Sequence, residues 1–253
     1  MIGDFPISYM MLPHTNHTRE TIAKLPPNVE FGIHVDALEH PGSYDDICAR
    51  QSAAVRELLG GRPAHTIRNH GHLNRNYWEH LPAWEAAGLT LGLNIRGLDG
   101  TCPTGSYLPF RVRRADGSWS TQTTVFSTFS DSMLFMQKWP EARQIKVIQG
   151  LARQIEQTYP GILVCNFHPQ NVSSVRNVHK AVVEIGRTRG WHATGVESLR
   201  GWIETLDGVR MTERDCRFVL ASKQPVSKLA LSWPSGTGWT VLPDWQGEQA
   251  IPT

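Results

Sequence analysis

The chain of 253 residues has little of what usually fixes a functional class at once. Its four cysteines, Cys48, Cys102, Cys165 and Cys216, form no CxxC pair, which argues against a zinc knuckle or a disulfide scaffold and leaves four free thiols. No run of 18 apolar residues occurs, and the opening MIGDFPISYMMLPHTN lacks the basic-then-apolar order of a signal peptide. Taken as written, the chain reads as soluble and cytoplasmic, with no membrane partner. Charge of one sign is also scarce: the formal net charge is +2, and the Lys and Arg residues are scattered, so a nucleic-acid partner is not expected. The stretch GTCPTGSY lacks the Lys-Ser/Thr ending and following helix of a phosphate loop, and no G-x-S-x-G elbow marks a nucleophile. Internal repeats and low-complexity tracts are lacking too.

The chain does have enough apolar residues, 40%, to bury a substantial core. Short apolar runs alternate with helical patterns, the signature of βα units around a parallel sheet. Strands are expected at 6–12, 29–35, 64–70, 89–95 and 161–169, with a short one at WHATG, 191–195. Helices are expected at 17–25, 44–61, 75–88, 141–159, 174–190 and 198–208. Residues 96–124, rich in Gly, Pro, Thr and Arg, read as an irregular excursion with a hairpin around RRADGSW. The last stretch alternates apolar and polar residues in RFVLAS, KLALSW and WTVL, which predicts a small antiparallel extension. The expected division is residues 1–207 and 208–253.

Histidines stand where these strands end. His14 follows the first, His34 closes the second, His70 and His72 the third, and His168 the apolar strand at 161–169. In α/β barrels the C-terminal strand ends carry the chemistry. Imidazoles with a carboxylate such as Asp36 or Glu39 suit zinc, and three protein ligands with an open position lower the pKa of bound water to ~7. A further histidine at the rim could protonate a leaving group. Arg68 and His70 share one face of their extended segment and can address one ligand; the plainer reading pairs Arg68 with Asp36 or Asp46. Cys165 and His168 face opposite sides of a strand, so Cys165 reads as a buried thiol.

In chain order, PISYMMLPH, VEFGIHVDALEHP, HTIRNHGHLNRNYWEHLPAWEAAGLTLGLNIRG, GTCPTGSYLPF and ILVCNFHPQNV resemble segments of the polysaccharide deacetylase superfamily, over about residues 6–205. The resemblance implies a distorted (β/α) barrel and removal of acetyl groups from amino sugars with a divalent metal, expected to be zinc. Carried over by position, it implies that His34 and His40 bind the metal with His70 as a third ligand, that Arg68 orients a catalytic carboxylate, and that His168 is the general acid. His34 and His40 are six apart, wider than the family's usual pair, so Asp36 or His70 stands as the alternative second ligand. Asp36, His72, Tyr107 and Trp191 are expected to face the substrate. Tryptophans in loops or short strands, Trp119, Trp139, Trp191, Trp239 and Trp245, offer faces for sugar rings, whereas Trp84 and Trp202 read as core.

One family feature has no counterpart. Family enzymes begin with an apolar strand ending in two aspartates, a base and a metal ligand, whereas Met1 stands almost at the strand that matches the family's second. Asp4 precedes its strand and falls at the wrong end. Three readings remain: an absent N-terminal piece that leaves an open sheet edge, where a homodimer or another chain would pair; a site rebuilt from His14, His34, His70 and His168 with Asp36 or Glu39; or a non-catalytic carbohydrate-binding or scaffolding protein. The expectation carried forward is a metal-dependent hydrolase acting on an amide or ester bond of a carbohydrate-type or small-molecule substrate.

Overall fold

The computed structural model describes residues 5–72, 79–96, 107–132, 138–157, 161–171, 173–214, 217–227, 229–232 and 239–251. Cys102, Cys216, most of GTCPTGSY and the first part of the helix expected at 75–88 lie outside them. The chain divides into two compact units, Met1–Glu197 and Ser198–Thr253.

The first unit is mixed α/β with a mostly parallel sheet. Strands β1 (Ser8–Met11), β2 (Glu30–Val35), β3 (Thr66–Asn69), β4 (Leu91–Gly92) and β6 (Trp119–Thr124) run parallel in that order, and β5 (Phe110–Arg113) adds antiparallel to β6. The row does not stop at β6. Val125 and Ser127 donate to Gly92 and Ile95, then Thr128 donates to Val164, so the chain leaves the edge of β4 and continues as β7 (Phe129–Ser130) beside β8 (Cys165–Asn166).

The helices cover one face of this row. Helix α1 (Arg19–Ala23) starts at a capping box built by Thr18 and Thr21. Helix α2 (Tyr44–Leu59) starts where the Ser43 hydroxyl accepts the Asp46 amide and stops at Gly60, whose φ of 60° only glycine adopts freely. Its buried stripe of Ile47, Cys48, Val55 and Leu59 packs with Phe31, Ile33, Val35 and Ile67, and α3 (Leu81–Ala86) adds Leu81 and Trp84. A second cluster joins α4 (Glu141–Gln157) and α5 (Arg176–Thr188) through Ile148, Leu151, Ile155, Val178 and Ile185, with Phe129 beneath. Helix α6 (Val196–Asp207) begins at the end of the unit.

Several expectations are corrected. WHATG forms no strand, and only Cys165–Asn166 of the apolar 161–169 run is ladder-paired. The hairpin at RRADGSW is present, but its second arm is an interior parallel strand rather than part of an excursion. Its buried face carries Ser120, Gln122 and Thr124 in place of aliphatics, and these polar groups are drawn into internal bonds such as Gln122 Nε2 to the Leu89 carbonyl.

The second unit has a three-stranded antiparallel sheet, β9 (Arg210–Arg214), β10 (Arg217–Val226) and β13 (Trp245–Ala250), with β10 in the middle, and a hairpin of β11 (Ala230–Ser232) and β12 (Trp239–Val241). Leu220, Val226, Leu242, Trp245 and Ile251 form its core. Among the described residues no helix is long and apolar enough to cross a membrane.

Candidate functional site

His34 and Arg68 are register partners on β2 and β3. Because Ile33, Val35 and Ile67 fill the core beneath α2, strand alternation turns His34 and Arg68 to the opposite face. The His34 ring nitrogen Nδ1 lies 2.8 Å from the Arg68 carbonyl oxygen. A carbonyl only accepts, so Nδ1 carries the hydrogen and Nε2 keeps its lone pair. Burial, then the neighbouring Arg68 and His70 charges, push His34 down to about 3, so the ring is neutral at physiological pH. His70 opens a short 3-10 turn, His70–His72, beyond β3, and its ring meets His34 edge-on at 5.5 Å.

A second pair stands at the ends of β7 and β8. These strands run in register, Ser130 with Asn166, and Asp131 and His168 follow just beyond. Asp131 is fully buried. Its Oδ1 lies 2.5 Å from His168 Nδ1, while Oδ2 accepts the His168 amide at 2.7 Å and the Asn171 side-chain amide at 3.2 Å. An ionised carboxylate only accepts, so His168 carries its hydrogen on Nδ1 and leaves Nε2 for chemistry. The two pairs share one electrostatic neighbourhood: His168 bears on His34, and Asp131 bears on Arg68. Arg68, buried, is lowered to about 10 by desolvation; Asp131 opposes the shift and Arg96 adds to it.

Sequence reasoning missed Asp131 and Asn171. Asp131 stands in the Ser- and Thr-rich STFSDSM, where no alternation betrays a strand. The usable signal was its place: a carboxylate just past a strand that pairs with the strand bearing His168.

The other expected site residues separate. His40 meets His14, ring centroids 6.2 Å apart, and not His34. Among the described residues no three His, Cys, Asp or Glu side chains come together as an ion-binding group. Asp36 is buried, its carboxylate takes the Leu38 amide, and its backbone is held by Gln51; Asp46 takes the Ser43 hydroxyl, and the Asp131 charge acts on Arg68. Tyr107 packs in the second core cluster with its hydroxyl on Gln154 at 3.0 Å, and Trp191 packs against that cluster beneath Arg189. The His72 side chain lies outside the described set. The thiol of Cys165 is pushed up to about 12 by burial, which leaves it inert. Of the tryptophans, Trp84 is core as expected, whereas Trp202 is exposed.

No family model and no curated protein matches the chain. Among solved structures, the crystal structure of a "putative polysaccharide deacetylase" from Mycobacterium smegmatis superposes with a TM-score of 0.55 at 14% identity, covering 81% of this chain and 73% of that one. The chain has a polysaccharide-deacetylase-like fold. A second crystal structure, a "putative polysaccharide deacetylase involved in o-antigen biosynthesis" from Bordetella bronchiseptica, gives a TM-score of 0.43 at 19% identity, over 79% of this chain and 78% of that one. At 14% identity the Mycobacterium smegmatis likeness speaks for the fold alone, and the chemistry rests on this chain's own side chains.

Proposed function

We propose that the protein is a deacetylase-like hydrolase that cleaves an amide or ester bond of a carbohydrate substrate, on a parallel row that is the arc of a distorted barrel. The observation that carries this reading is the pair of half-buried His168 and buried Asp131, at the same strand ends as His34 and His70. Asp131 fixes the ring and its tautomer, so His168 Nε2 can take a proton from the water that adds to the acetyl carbon and then hand it to the departing amine or alkoxide as acetate is released. Arg68 supplies a fixed positive charge beneath the reacting group.

A divalent ion, zinc by ligand type, belongs to the proposal in part. His34 through Nε2 and His70 fit as two imidazole ligands, and the ion would polarise the carbonyl and activate water. A third ligand is not assembled among the described residues, and the base implied by the resemblance has no counterpart among them. That gap favours the second reading, a carbohydrate-binding protein without catalysis.

The deciding experiment measures acetate released from a panel of N- and O-acetylated oligosaccharides by the zinc-loaded and chelated protein, with elemental analysis of each. Release that falls about 10²- to 10⁴-fold in His168→Ala, the scale of general acid catalysis, is the expected result. Sugar binding without acetate release in any state of the protein selects the second reading.

A further inference from the structure

The strand that delivers His168 carries a second polar side chain on the same side. Cys165 and Phe167 pack against the core cluster that contains Phe129, so alternation turns Asn166 and His168 to the opposite face. Ser130, the register partner of Asn166, turns the same way. Asn166 and His168 are therefore rooted about 7 Å apart on one face. The Asn166 carboxamide is anchored from behind. Its Nδ2 donates to Ser130 Oγ at 3.2 Å, and that oxygen in turn lies 2.8 Å from Ser132 Oγ and takes the Ser132 amide at 3.4 Å. Ser130 is buried, so the carboxamide rests on a fixed hydroxyl. A carboxamide has two donor hydrogens and two acceptor lone pairs, and this contact uses one of the four. Among the described residues, Asn166 Oδ1 and the second Nδ2 hydrogen meet no partner, although the residue is half-buried. A leucine of similar size would line this place without a polar group to satisfy. What the carboxamide adds is an oriented acceptor and donor beside His168.

We propose that Asn166 is a specificity-determining residue that binds the sugar hydroxyl next to the acylated position, with Oδ1 accepting the hydroxyl hydrogen. Two side chains rooted about 7 Å apart on one face can reach adjoining substituents of one sugar ring, each across a single hydrogen bond. The placing of that hydroxyl beside the acyl group rests on the deacetylase-like reading above; the recognition of a hydroxyl by Asn166 does not.

Ligand-detected NMR titration of the full chain with methyl 2-acetamido-2-deoxyglucoside and its 3-deoxy analogue tests it, since any acetate released has a resonance of its own. The wild type is expected to bind the hydroxyl-bearing glycoside at least about tenfold more tightly than the deoxy one, the scale of one hydrogen bond. Asn166→Leu brings the two level by weakening the first, while the deoxy glycoside binds within about twofold of wild type and shows that the site is still folded. Asn166→Asp, which keeps the acceptor, retains the preference. Ser130→Ala, which frees the carboxamide, falls between wild type and Asn166→Leu. In turnover of the hydroxyl-bearing glycoside, Asn166→Leu raises KM more than it lowers kcat. Equal binding of the two glycosides by the wild type overturns the proposal, as does an Asn166→Leu variant that still prefers the hydroxyl or weakens both glycosides alike. An Asn166-dependent preference without acetate release from any substrate leaves this inference standing and removes the deacetylase reading, whereas acetate release without the preference does the reverse.

Discussion

His34 shows how burial decides the state of one side chain. Its folded value of about 3 lies well below the ordinary 6.5, so the unfolded chain takes up the proton first as the solution is acidified. The stability linked to His34 is therefore intact above about pH 6.5 and is lost as pH falls toward 3, by up to about 1.4 kcal/mol per pH unit. In metal-free protein, the urea midpoint of the wild type should drop more steeply below pH 6 than that of His34→Gln, which keeps a donor for the Arg68 carbonyl. Parallel slopes would show that the ring is not held neutral in the fold. Asp131 makes the opposite case, a buried carboxylate surrounded by donors. Asp131→Asn presents an amide hydrogen to groups that need an acceptor, so His168 loses its fixed tautomer. Acetate release should fall about 10²-fold or more through kcat, with KM little changed. A change confined to KM would mean that the pair serves binding only.

At the scale of elements, the segment between α1 and β2 is shaped from a distance by Arg62. Its guanidinium donates to the Ile22, Pro26 and Val29 carbonyls at 3.2, 2.9 and 2.8 Å and stacks over Phe31 at 4.7 Å. Arg62→Ala should cost about 2 kcal/mol, the scale of charge-assisted hydrogen bonds, read as a lower urea midpoint at constant m. Arg62→Lys should recover little, because a single ammonium cannot fork across the carbonyls; full recovery would show that the charge alone suffices. The helix boundaries that local chemistry writes were legible in the sequence: Ser43 before α2, Gly60 after it, and the 3.6-residue stripe between. Strands β2 and β3 were legible because Phe31, Ile33, Val35 and Ile67 are aliphatic or aromatic and fully covered. Strand β6 was not, since its buried positions are Ser, Gln and Thr, whose place inside depends on hydrogen bonds made by distant residues. Strands β9 and β13 were missed for a related reason: RMTER and WQGEQA are mostly exposed and polar, and β10 organises both by pairing. The same division runs through the site. Strand ends carrying His34, Arg68 and His168 could be read off the chain, whereas the pairing of Asp131 with His168 depends on the β7–β8 register, which no local pattern encodes.

Across the first unit as a whole, the two ends of the parallel strands carry different burdens. The C-terminal ends gather buried His34, Arg68 and Asp131 with half-buried His168, a set of polar groups that reduces stability unless each is satisfied. The N-terminal ends gather a clasp that closes the unit on itself. Glu197, the last residue of the unit, accepts the His65 amide at 2.7 Å and the Thr66 hydroxyl at 3.1 Å, and its other oxygen meets His65 Nδ1 at 2.9 Å. The Glu197 amide donates in turn to the Glu30 carboxylate, and the Val196 amide to the Ser8 hydroxyl, a bond spanning 188 positions. Glu30 and Thr66 are the first residues of β2 and β3, so one turn of chain ties the entry ends of three strands together. In parallel barrels and their relatives this end governs stability and the far end governs reaction. Glu197→Ala strands the His65 amide and the Thr66 hydroxyl in a mostly buried place, and it should lower the unfolding free energy by about 2–4 kcal/mol. Because His34 and His168 stand at the other end of the strands, acetate release per folded molecule should stay within about twofold of wild type. Thermal melting and kinetics on the same preparation check both halves. A variant as stable as wild type would show that Glu197 holds nothing together, and a stable variant that has lost turnover would show that the two ends of the strands do not divide the labour in this way.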